Sequence, residues 1–401
     1  MIKTALTFLL IYFSLQIASD LNKDNLRDLK PSPKKIPVTF DAHGVKRVDN
    51  YYWMRDDTRK DQEVIDHLNT ENAYLEGWFA SGLDERDKLF QEITDRIPKK
   101  EDSVPIRLKN YEYFRRYEPE NEYAIYIRRK NKNSEEIVLL DVNELAHGKD
   151  FYQLANWSIS PSESLMAYAE DINGRRQYSI KFKDLAKDET YDYVIENTSG
   201  DMAWSAEGDY LFYVLRDEET LLPHKVFRHK VGTSQDTDEL VYEEKDTTFY
   251  LSVGNTRSME FIELSISSTT SSETRLIKSN NPTSSPEIFY KRENDHLYSV
   301  DHDPASDRFL IESNWNATNF RLLEVNLIDS KVKENWKEII PHREAVLLQA
   351  VIPFPKHLVV MERENGLKKL RILDKESLNS RTVNFNDPSY TAYLASNPEY
   401  E

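Results

Sequence analysis

The chain has 401 residues, of which 39% are hydrophobic and 11% aromatic, enough apolar surface for a sizeable folded core. Its 70 acidic residues outnumber its 53 basic residues and give a formal net charge of −17. This balance argues against nucleic-acid binding, because phosphate recognition needs a basic surface. It favours basic peptides as partners, or else it reflects a soluble acidic surface. The absence of cysteine excludes disulfides, thiolate nucleophiles and cysteine-ligated metal centres.

The amino terminus has the pattern of a secretory signal peptide. Lys3 precedes an apolar run from Ala5 to Ile17, and the small residues Ala18 and Ser19 follow. The run is shorter than the about 20 residues that a membrane-spanning helix needs. We therefore predict a signal peptide over residues 1–19 and export to the periplasm or the medium. The alternatives are an uncleaved anchor or an incidental leader on a cytoplasmic protein. No other segment has membrane-spanning length, so we expect no membrane partner.

Two helices are predicted within an amino-terminal segment that covers residues 20–100. Apolar residues recur every three or four positions from Asp61 to Phe79, which predicts the first helix. A second stripe over Asp84–Ile97 predicts another helix, with Asp84 as its N-cap and Pro98 as its stop. We expect both apolar stripes to pack in a core, because this is far commoner than a cofactor-binding role.

After Pro98 the sequence changes to short runs rich in Tyr, Phe, Val and Ile, interrupted by turn residues about every 8 to 12 positions, as in antiparallel strands. A phrase that begins with Trp157-Ser recurs at Trp204-Ser, and comparable strand sets follow at intervals of about 45 to 50 residues. This interval fits the four strands of a β-propeller blade. We predict a mainly β fold: a truncated propeller domain over residues 101–401, with about six blades and a seventh barely begun at Thr391–Glu401.

A truncated propeller would expose surface at both ends of the blade series. Each blade packs on the next, so the ring must close to bury its first and last faces. A chain that stops one blade short is expected to leave two apolar faces and two sets of strand edges in water. The ending at Asn397–Glu401 carries no cap or tail, which supports the interpretation of a truncated domain.

The sequence contains no recognisable catalytic motif. No two of the ten glycines are four apart, as a nucleophile elbow requires, and none cluster as in phosphate- or dinucleotide-binding loops. Asp301-His302-Asp303 could supply metal ligands, but a polar turn is the commoner meaning of this phrase. The acid pairs Glu243/Glu244 and Glu362/Glu364 are interpreted as solvated strand surface, and Ser267–Ser272 as a hairpin tip. We therefore predict no catalytic, cofactor-binding or metal-binding residues.

Several longer segments of the sequence are typical of one protein family. The phrases include Val48-Asp-Asn-Tyr-Tyr-Trp-Met-Arg-Asp56, Leu139-Leu-Asp-Val-Asn-Glu-Leu-Ala146, Gly174-Arg-Arg-Gln-Tyr-Ser-Ile-Lys-Phe-Lys-Asp-Leu185 and Trp336-Lys-Glu-Ile-Ile-Pro-His-Arg-Glu344. They resemble the amino-terminal part of the prolyl oligopeptidase family, and within it they look most like oligopeptidase B, also called protease II. The resemblance extends from about Lys34 to the last residue.

The resemblance implies a serine peptidase in two parts. In this family a seven-bladed propeller admits only short peptides to a carboxy-terminal α/β-hydrolase domain, which carries the Ser, Asp and His triad. Members like oligopeptidase B cleave after Arg or Lys. The hydrolase domain would lie beyond residue 401, so no catalytic residue is carried over and the chain alone is expected to be inactive. Its segment Lys34–Ile97 would lose the hydrolase domain on which it packs. The aromatic residues that would lose this partner are Tyr51, Tyr52, Trp53, Trp78 and Phe79.

We therefore expect the substrate-gating propeller part of an endopeptidase that hydrolyses short peptides after Arg or Lys. Its partners would be short basic peptides, in the complete enzyme, and a hydrolase domain if that domain is encoded separately. The alternative is a non-catalytic propeller that acts as a protein-binding scaffold. An adjacent reading frame with a Gly-x-Ser-x-Gly phrase would favour the enzyme.

Overall fold

The computed structural model describes residues 30–400, apart from the side chain of Ser81, so the predicted signal peptide lies outside the described residues. The chain divides into two compact units between Lys99 and Lys100. No helix in the described part of the chain is long and apolar enough to cross a membrane.

The first unit consists of a β-hairpin and two helices: β1 (Val38–Ala42), β2 (Val45–Asp49), α1 (Gln62–Phe79) and α2 (Leu83–Thr94). The Asp61 carboxylate accepts the Glu63 N–H and caps α1, as the sequence predicts. The predicted N-cap of the second helix is wrong, because α2 begins earlier and has Gly82 in that position. Asp84 instead lies in the first turn, where its negative charge favours the helix dipole.

The apolar stripes of both helices are largely exposed. Val64 and Gly77 are the buried residues of α1, and none of the residues of α2, all of which the structure describes, is buried. The prediction that the stripes pack in a core is therefore wrong for this chain. An exposed apolar surface of this extent is typical of a site for an interaction partner. The exposed side chains are Leu68, Leu75, Trp78, Phe79, Leu89, Phe90 and Ile93.

The second unit is a series of antiparallel sheets in chain order. A five-stranded sheet comes first and is followed by the short helix α3 (Val142–Ala146); its strands are β3 (Glu101–Asp102), β4 (Ile106–Leu108), β5 (Tyr111–Tyr117), β6 (Ile125–Arg129) and β7 (Ile137–Asp141). A seven-stranded sheet contains β8 (Gln153–Ile159), β9 (Leu165–Asp171), β10 (Tyr178–Asp184), β11 (Glu189–Trp204), β12 (Tyr210–Arg216), β13 (Pro223–Lys230) and β14 (Glu239–Glu243).

Three four-stranded sheets complete the unit. The first contains β15 (Tyr250–Asn255), β16 (Phe261–Ser267), β17 (Ser272–Lys278) and β18 (Glu287–Tyr290). The second contains β19 (Tyr298–Asp303), β20 (Arg308–Ser313), β21 (Arg321–Val325) and β22 (Lys337–Ile340). The third contains β23 (Val346–Pro353), β24 (His357–Glu364), β25 (Leu367–Asp374) and β26 (Ser380–Thr382). The predicted hairpin tip at Ser267–Ser272 is confirmed, since it joins β16 to β17.

The seven-stranded sheet is two blades that share one long strand. β11 has 16 residues; its first part pairs with β10 and its second part with β12. The register shifts between Thr198 and Met202, where Gly200 has a φ of +87°. A Cβ at Gly200 would lie 3.1 Å from the Tyr178 ring, which is closer than an ordinary contact. Glycine is therefore favoured at this bend, because it adopts a positive φ without strain and has no Cβ to meet the ring. Counted this way, the described chain forms six blades, and the predicted number of about six is confirmed.

The hydrophobic core lies between successive blades. Side chains of a strand alternate between its two faces, so each strand can contribute to two interfaces. In β16, Ile262 and Leu264 pack with Phe212 of the preceding blade, whereas Phe261 packs with Phe309 of the following blade. The blades are therefore held together face to face, as in a propeller.

The two outermost blade faces differ in character. On the first blade, Phe114 lies beneath the guanidinium groups of Arg116 and Arg129, at 5.6 and 4.8 Å from its ring centroid. These arginines form ion pairs with Asp102, Glu112 and Glu136. The expectation of an apolar face is wrong here, because a charged network covers the aromatic ring. On the last blade the face is apolar, as expected, but its side chains Ile352, Val359, Met361 and Ile372 are half-buried and not fully in water.

The predicted start of a seventh blade at Thr391–Glu401 does not form a sheet. The described residues after β26 contain no strand. The Val383 N–H donates to the Leu370 carbonyl (2.8 Å), and the Lys368 ammonium lies 3.8 Å from the Tyr393 ring centroid. The segment after β26 therefore runs along the last blade.

Two neighbouring blades are joined by one amide side chain. Asn255 Oδ1 accepts the Trp204 N–H and Asn255 Nδ2 donates to the Trp204 carbonyl, both at 2.9 Å. We expect Asn255→Ala to destabilise the fold by about 2 to 3 kcal/mol, because buried backbone groups lose their partners. Urea unfolding with Asn280→Ala, an exposed asparagine, as the matched control measures this effect. Equal midpoints for the two variants would contradict the assigned role.

Candidate functional site

The first strand of each blade lies at the inner edge of the propeller, and contacts link these strands from blade to blade. Asn156 Nδ2 donates to the Gly200 carbonyl at 3.0 Å. The Arg257 N–H, just after β15, donates to Asp301 Oδ1 of β19 at 2.9 Å. A propeller surrounds a central channel at this edge, where side chains from many blades converge. The inner edge is therefore the candidate functional site.

One side of the inner edge is apolar and contains a cavity of about 640 Å³. Trp157 lies within it, with the Tyr113 and Tyr126 rings 5.9 and 6.0 Å away. Ser396 and Pro398 complete the wall. A cavity of this size and polarity suits a small ligand or a few side chains of a peptide. Further apolar lining residues are Val104, Ile106, Leu108, Met202 and Met259.

The other side of the inner edge is charged, and Arg257 is at its centre. The guanidinium donates to three backbone carbonyls: Nε to Pro353 (2.6 Å), Nη1 to Asn397 (2.6 Å) and Nη2 to Glu399 (2.7 Å). Burial lowers the pKa of Arg257, while the nearby Asp301 carboxylate opposes this shift. The planar group therefore binds two segments of backbone at once, which is the geometry that arginine favours.

Asp303, Lys375 and Tyr400 form a second polar group beside Arg257. The Lys375 ammonium lies 2.7 Å from both carboxylate oxygens of Asp303, and the Tyr400 hydroxyl donates to Oδ1 at 2.5 Å. Burial alone would raise the pKa of Asp303, but these two donors outweigh it and lower the pKa. Burial and the Asp303 carboxylate together raise the pKa of the Tyr400 hydroxyl. The phenol therefore stays protonated and remains a donor.

Three carboxyl groups of the fourth and fifth blades have raised pKa values. Burial is the main cause for Glu263, whose pKa rises to about 8, and the Asp301 charge adds to the effect. Burial also raises the pKa of Glu312 to about 7, although the Val351 N–H donates to Oε1 at 2.6 Å. The pKa of Asp301 is raised by burial as well. In each of the three, burial disfavours the ionised form of the carboxyl.

The side chains of Asp301, His302 and Asp303 have different contacts and do not converge on one site. His302 is buried between Phe261 and Phe309, with ring centroids 5.0 and 4.9 Å away. Asp301 accepts backbone N–H groups, whereas Asp303 binds a lysine and a tyrosine. Within residues 30–400, no group of three or more His, Asp or Glu side chains is placed to hold a metal ion.

The acid pairs are not simply solvated surface. Glu244 is buried and accepts hydrogen bonds from Arg292 and from the Tyr242 hydroxyl. Glu362 is also buried, between Arg343 and Arg371. The interpretation as solvated surface is wrong for these two members, because each neutralises arginine charge inside the fold. Their neighbours pair with lysines nearer the surface: Glu243 with Lys225 and Glu364 with Lys369.

Two buried histidines form partial versions of a catalytic arrangement. His229 Nδ1 lies 2.8 Å from Asp238 Oδ1, but its Nε2 has no hydrogen-bond partner. His296 Nε2 lies 2.9 Å from Ser313 Oγ, but its Nδ1 has no partner. A Ser-His-Asp triad needs both contacts on one histidine, with the serine open to substrate. Both histidines are instead buried in aromatic packing.

The sequence reasoning missed Arg257, Lys375 and Tyr400. Arg257 lies two residues after the first strand of its blade, and Asp303 ends the first strand of the next blade. An alignment of the blades in register would have placed both residues near the same end of the first strand of their blades. Tyr400 gave no such signal, because its position depends on a segment outside the blade pattern.

The comparison with known proteins places this arrangement in a family. The family described as "Prolyl oligopeptidase, N-terminal beta-propeller domain" matches residues 30–401. The chain belongs to the prolyl oligopeptidase family. The resemblance seen in the sequence is confirmed, and the matched family domain is the amino-terminal propeller part.

Three relatives define the similarity within the family. Dipeptidyl aminopeptidase BI of Pseudoxanthomonas mexicana is 38% identical over 91% of this chain and 52% of its own length. Protease 2 of Moraxella lacunata is 32% identical over 92% of this chain and 54% of its own length. Oligopeptidase B from Leishmania major superimposes with a TM-score of 0.85 at 28% identity, covering 91% of this chain and 54% of that structure. The chain thus spans about half the length of these family members.

Proposed function

We propose that the chain is the propeller part of a serine endopeptidase that hydrolyses short peptides after Arg or Lys. The main support is the combined similarity to Protease 2 and to oligopeptidase B along almost the whole chain. The propeller itself would act by steric selection, since only a short extended peptide passes where blades converge. The net charge of −17 would attract basic peptides toward the site.

A second candidate activity is the release of dipeptides from a free amino terminus. The relative named dipeptidyl aminopeptidase BI has the higher identity of the two, 38% against 32%. The two activities differ in what the site must do with the substrate amino group. An aminopeptidase binds the free ammonium, whereas an endopeptidase accepts a blocked or extended chain.

The proposed function is tested with two purified proteins: the 401-residue chain, and this chain joined to the carboxy-terminal half of Protease 2. We expect the first to be inactive on a fluorogenic peptide with an internal Arg, because the proposed catalytic residues lie in the other half. We expect the second to cleave that peptide. A serine-directed inhibitor should abolish the cleavage.

The substrates distinguish the alternatives. Cleavage of an amino-blocked Arg peptide supports an endopeptidase, and release of dipeptides from unblocked peptides alone supports the aminopeptidase. Steric gating predicts that the joined protein cleaves a short peptide but not an unfolded protein with the same Arg site. Inhibitor-sensitive turnover by the 401-residue chain alone would refute the proposal.

A further inference from the structure

The dipeptide Asn-Gly occurs twice in the sequence, at Asn173-Gly174 and at Asn365-Gly366. An asparagine before glycine can lose its side-chain amide, because glycine has no Cβ to hinder attack by its own backbone nitrogen. The two dipeptides share this chemistry, so the surrounding structure decides which of them reacts. Both asparagines are exposed, and exposure alone does not distinguish them.

The reaction needs only water as a co-reactant. The backbone nitrogen of the glycine loses its proton to water or hydroxide and bonds to Cγ of the asparagine. The bond from Cγ to Nδ2 breaks, and Nδ2 takes up a proton and leaves as ammonia. Water then opens the cyclic imide at either carbonyl, which gives aspartate or isoaspartate. The glycine nitrogen must therefore be free to lose its proton and to reach Cγ.

At the first site a buried carboxylate holds the glycine nitrogen. Asp171 is 1% exposed, and its Oδ1 accepts the N–H groups of Asn173 (2.9 Å) and Gly174 (3.0 Å). Its Oδ2 accepts the Arg176 N–H at 2.7 Å. The negative charge also disfavours loss of the proton from the glycine nitrogen. A Cβ at Gly174 would lie 3.8 Å from the Phe151 ring, so this loop is both bonded and packed.

At the second site the glycine nitrogen is free. Asn365 and Gly366 form the two-residue turn between β24 and β25, with φ of 51° and 80°. The Gly366 N–H has no hydrogen-bond acceptor in the described part of the chain, and a Cβ at Gly366 would meet nothing within 4 Å. Arg363 Nη1 donates to the Gly366 carbonyl at 3.2 Å, and its positive charge favours loss of the N–H proton. Fraying of the terminal Glu364 and Leu367 pair is enough to release the turn.

We propose that Asn365 is a site of deamidation in the folded chain, and that Asp171 protects Asn173 from the same reaction. Isoaspartate at position 365 carries the main chain through Cγ and adds one carbon to the turn. Because a two-residue turn must match the twist of its strands, the longer turn disturbs the pairing of β24 with β25. The sixth blade then has an additional negative charge and a weakened hairpin. This modification is independent of the proposed peptidase activity.

Peptide mapping by mass spectrometry measures both conversions in one sample of the 401-residue chain, kept in mildly alkaline buffer. We expect Asn365 to convert about tenfold faster than Asn173 in the folded chain, because local opening limits the reaction at the protected site. In denaturant the two asparagines should convert at nearly equal rates, since only the shared chemistry remains. An isoaspartyl methyltransferase should label position 365 in the folded sample. Equal rates in the folded chain, or faster conversion of Asn173, would overturn the proposed site.

Two substitutions of Asp171 test its protective role. Asp171→Ala removes all three hydrogen bonds to the loop and should raise the Asn173 rate about tenfold. Asp171→Asn keeps the shape and one acceptor oxygen and should give a smaller increase. The Asn365 rate is the internal control for an intact fold, and Asp192→Ala, at an exposed position of β11, should change neither rate. If the Asn173 rate rises in neither Asp171 variant, the carboxylate does not protect this site.

Discussion

Replacing Glu263 by glutamine is expected to stabilise the folded chain at pH 8.5 but not at pH 4. The pKa of Glu263 rises from 4.5 to about 8 on folding, because burial and the Asp301 charge disfavour its ionised form. Between these values the unfolded chain ionises while the folded chain keeps its proton, so stability falls as pH rises. The full shift corresponds to a loss of about 5 kcal/mol above pH 8, which glutamine removes.

Urea midpoints across pH measure this effect. The Glu263→Gln and wild-type curves should coincide at pH 4 and separate progressively up to pH 8.5. Glu207→Gln, in an exposed turn, serves as the matched control and should follow the wild type at every pH. If the difference between the Glu263→Gln and wild-type urea midpoints stays constant across this pH range, Glu263 ionises without cost in the folded state.

The number of blades was predictable because their pattern is local. Each blade needs alternating apolar strands and polar turns within about 45 to 50 residues. The Trp-Ser phrase found the right pair of strands but was two residues out of register, because the counterpart of Trp204, which pairs with Leu211, is Ile159, which pairs with Met166. The shared strand β11 was not predictable, since the bend at Gly200 depends on the space left by Tyr178. The first helix was predicted to within one residue for the same local reason, as its cap and apolar period lie within one segment.

The candidate site could not be predicted in the same way. Arg257 and Asn397 are 140 residues apart, and only the arrangement of the blades brings the turn after β15 close to Asn397. Burial of Glu244 and Glu362 was missed for a related reason. A carboxylate on a strand is exposed or buried according to whether an arginine from elsewhere neutralises it, and a linear pattern does not contain this information.

The blade interfaces lead to the second large effect, at Phe309. This side chain is 1% exposed, and its ring centroid lies 5.1 Å from that of Phe261 and 5.2 Å from that of Phe289. It therefore joins the fourth and fifth blades at the centre of their shared core. Phe309→Ala should lower the free energy of unfolding by about 3 to 5 kcal/mol, because it removes buried surface and leaves a cavity.

Volume, and not aromaticity alone, should determine the size of this effect. Phe309→Leu keeps most of the buried volume and should cost only about 1 kcal/mol. Tyr250→Ala, at a ring that is 63% exposed, should change the unfolding free energy by less than about 0.5 kcal/mol. Calorimetry or urea unfolding of the three variants measures whether their losses of unfolding free energy follow this order. If Phe309→Ala unfolds at the wild-type midpoint, the fourth and fifth blades do not depend on this contact, and the core between blades is not what holds the series together.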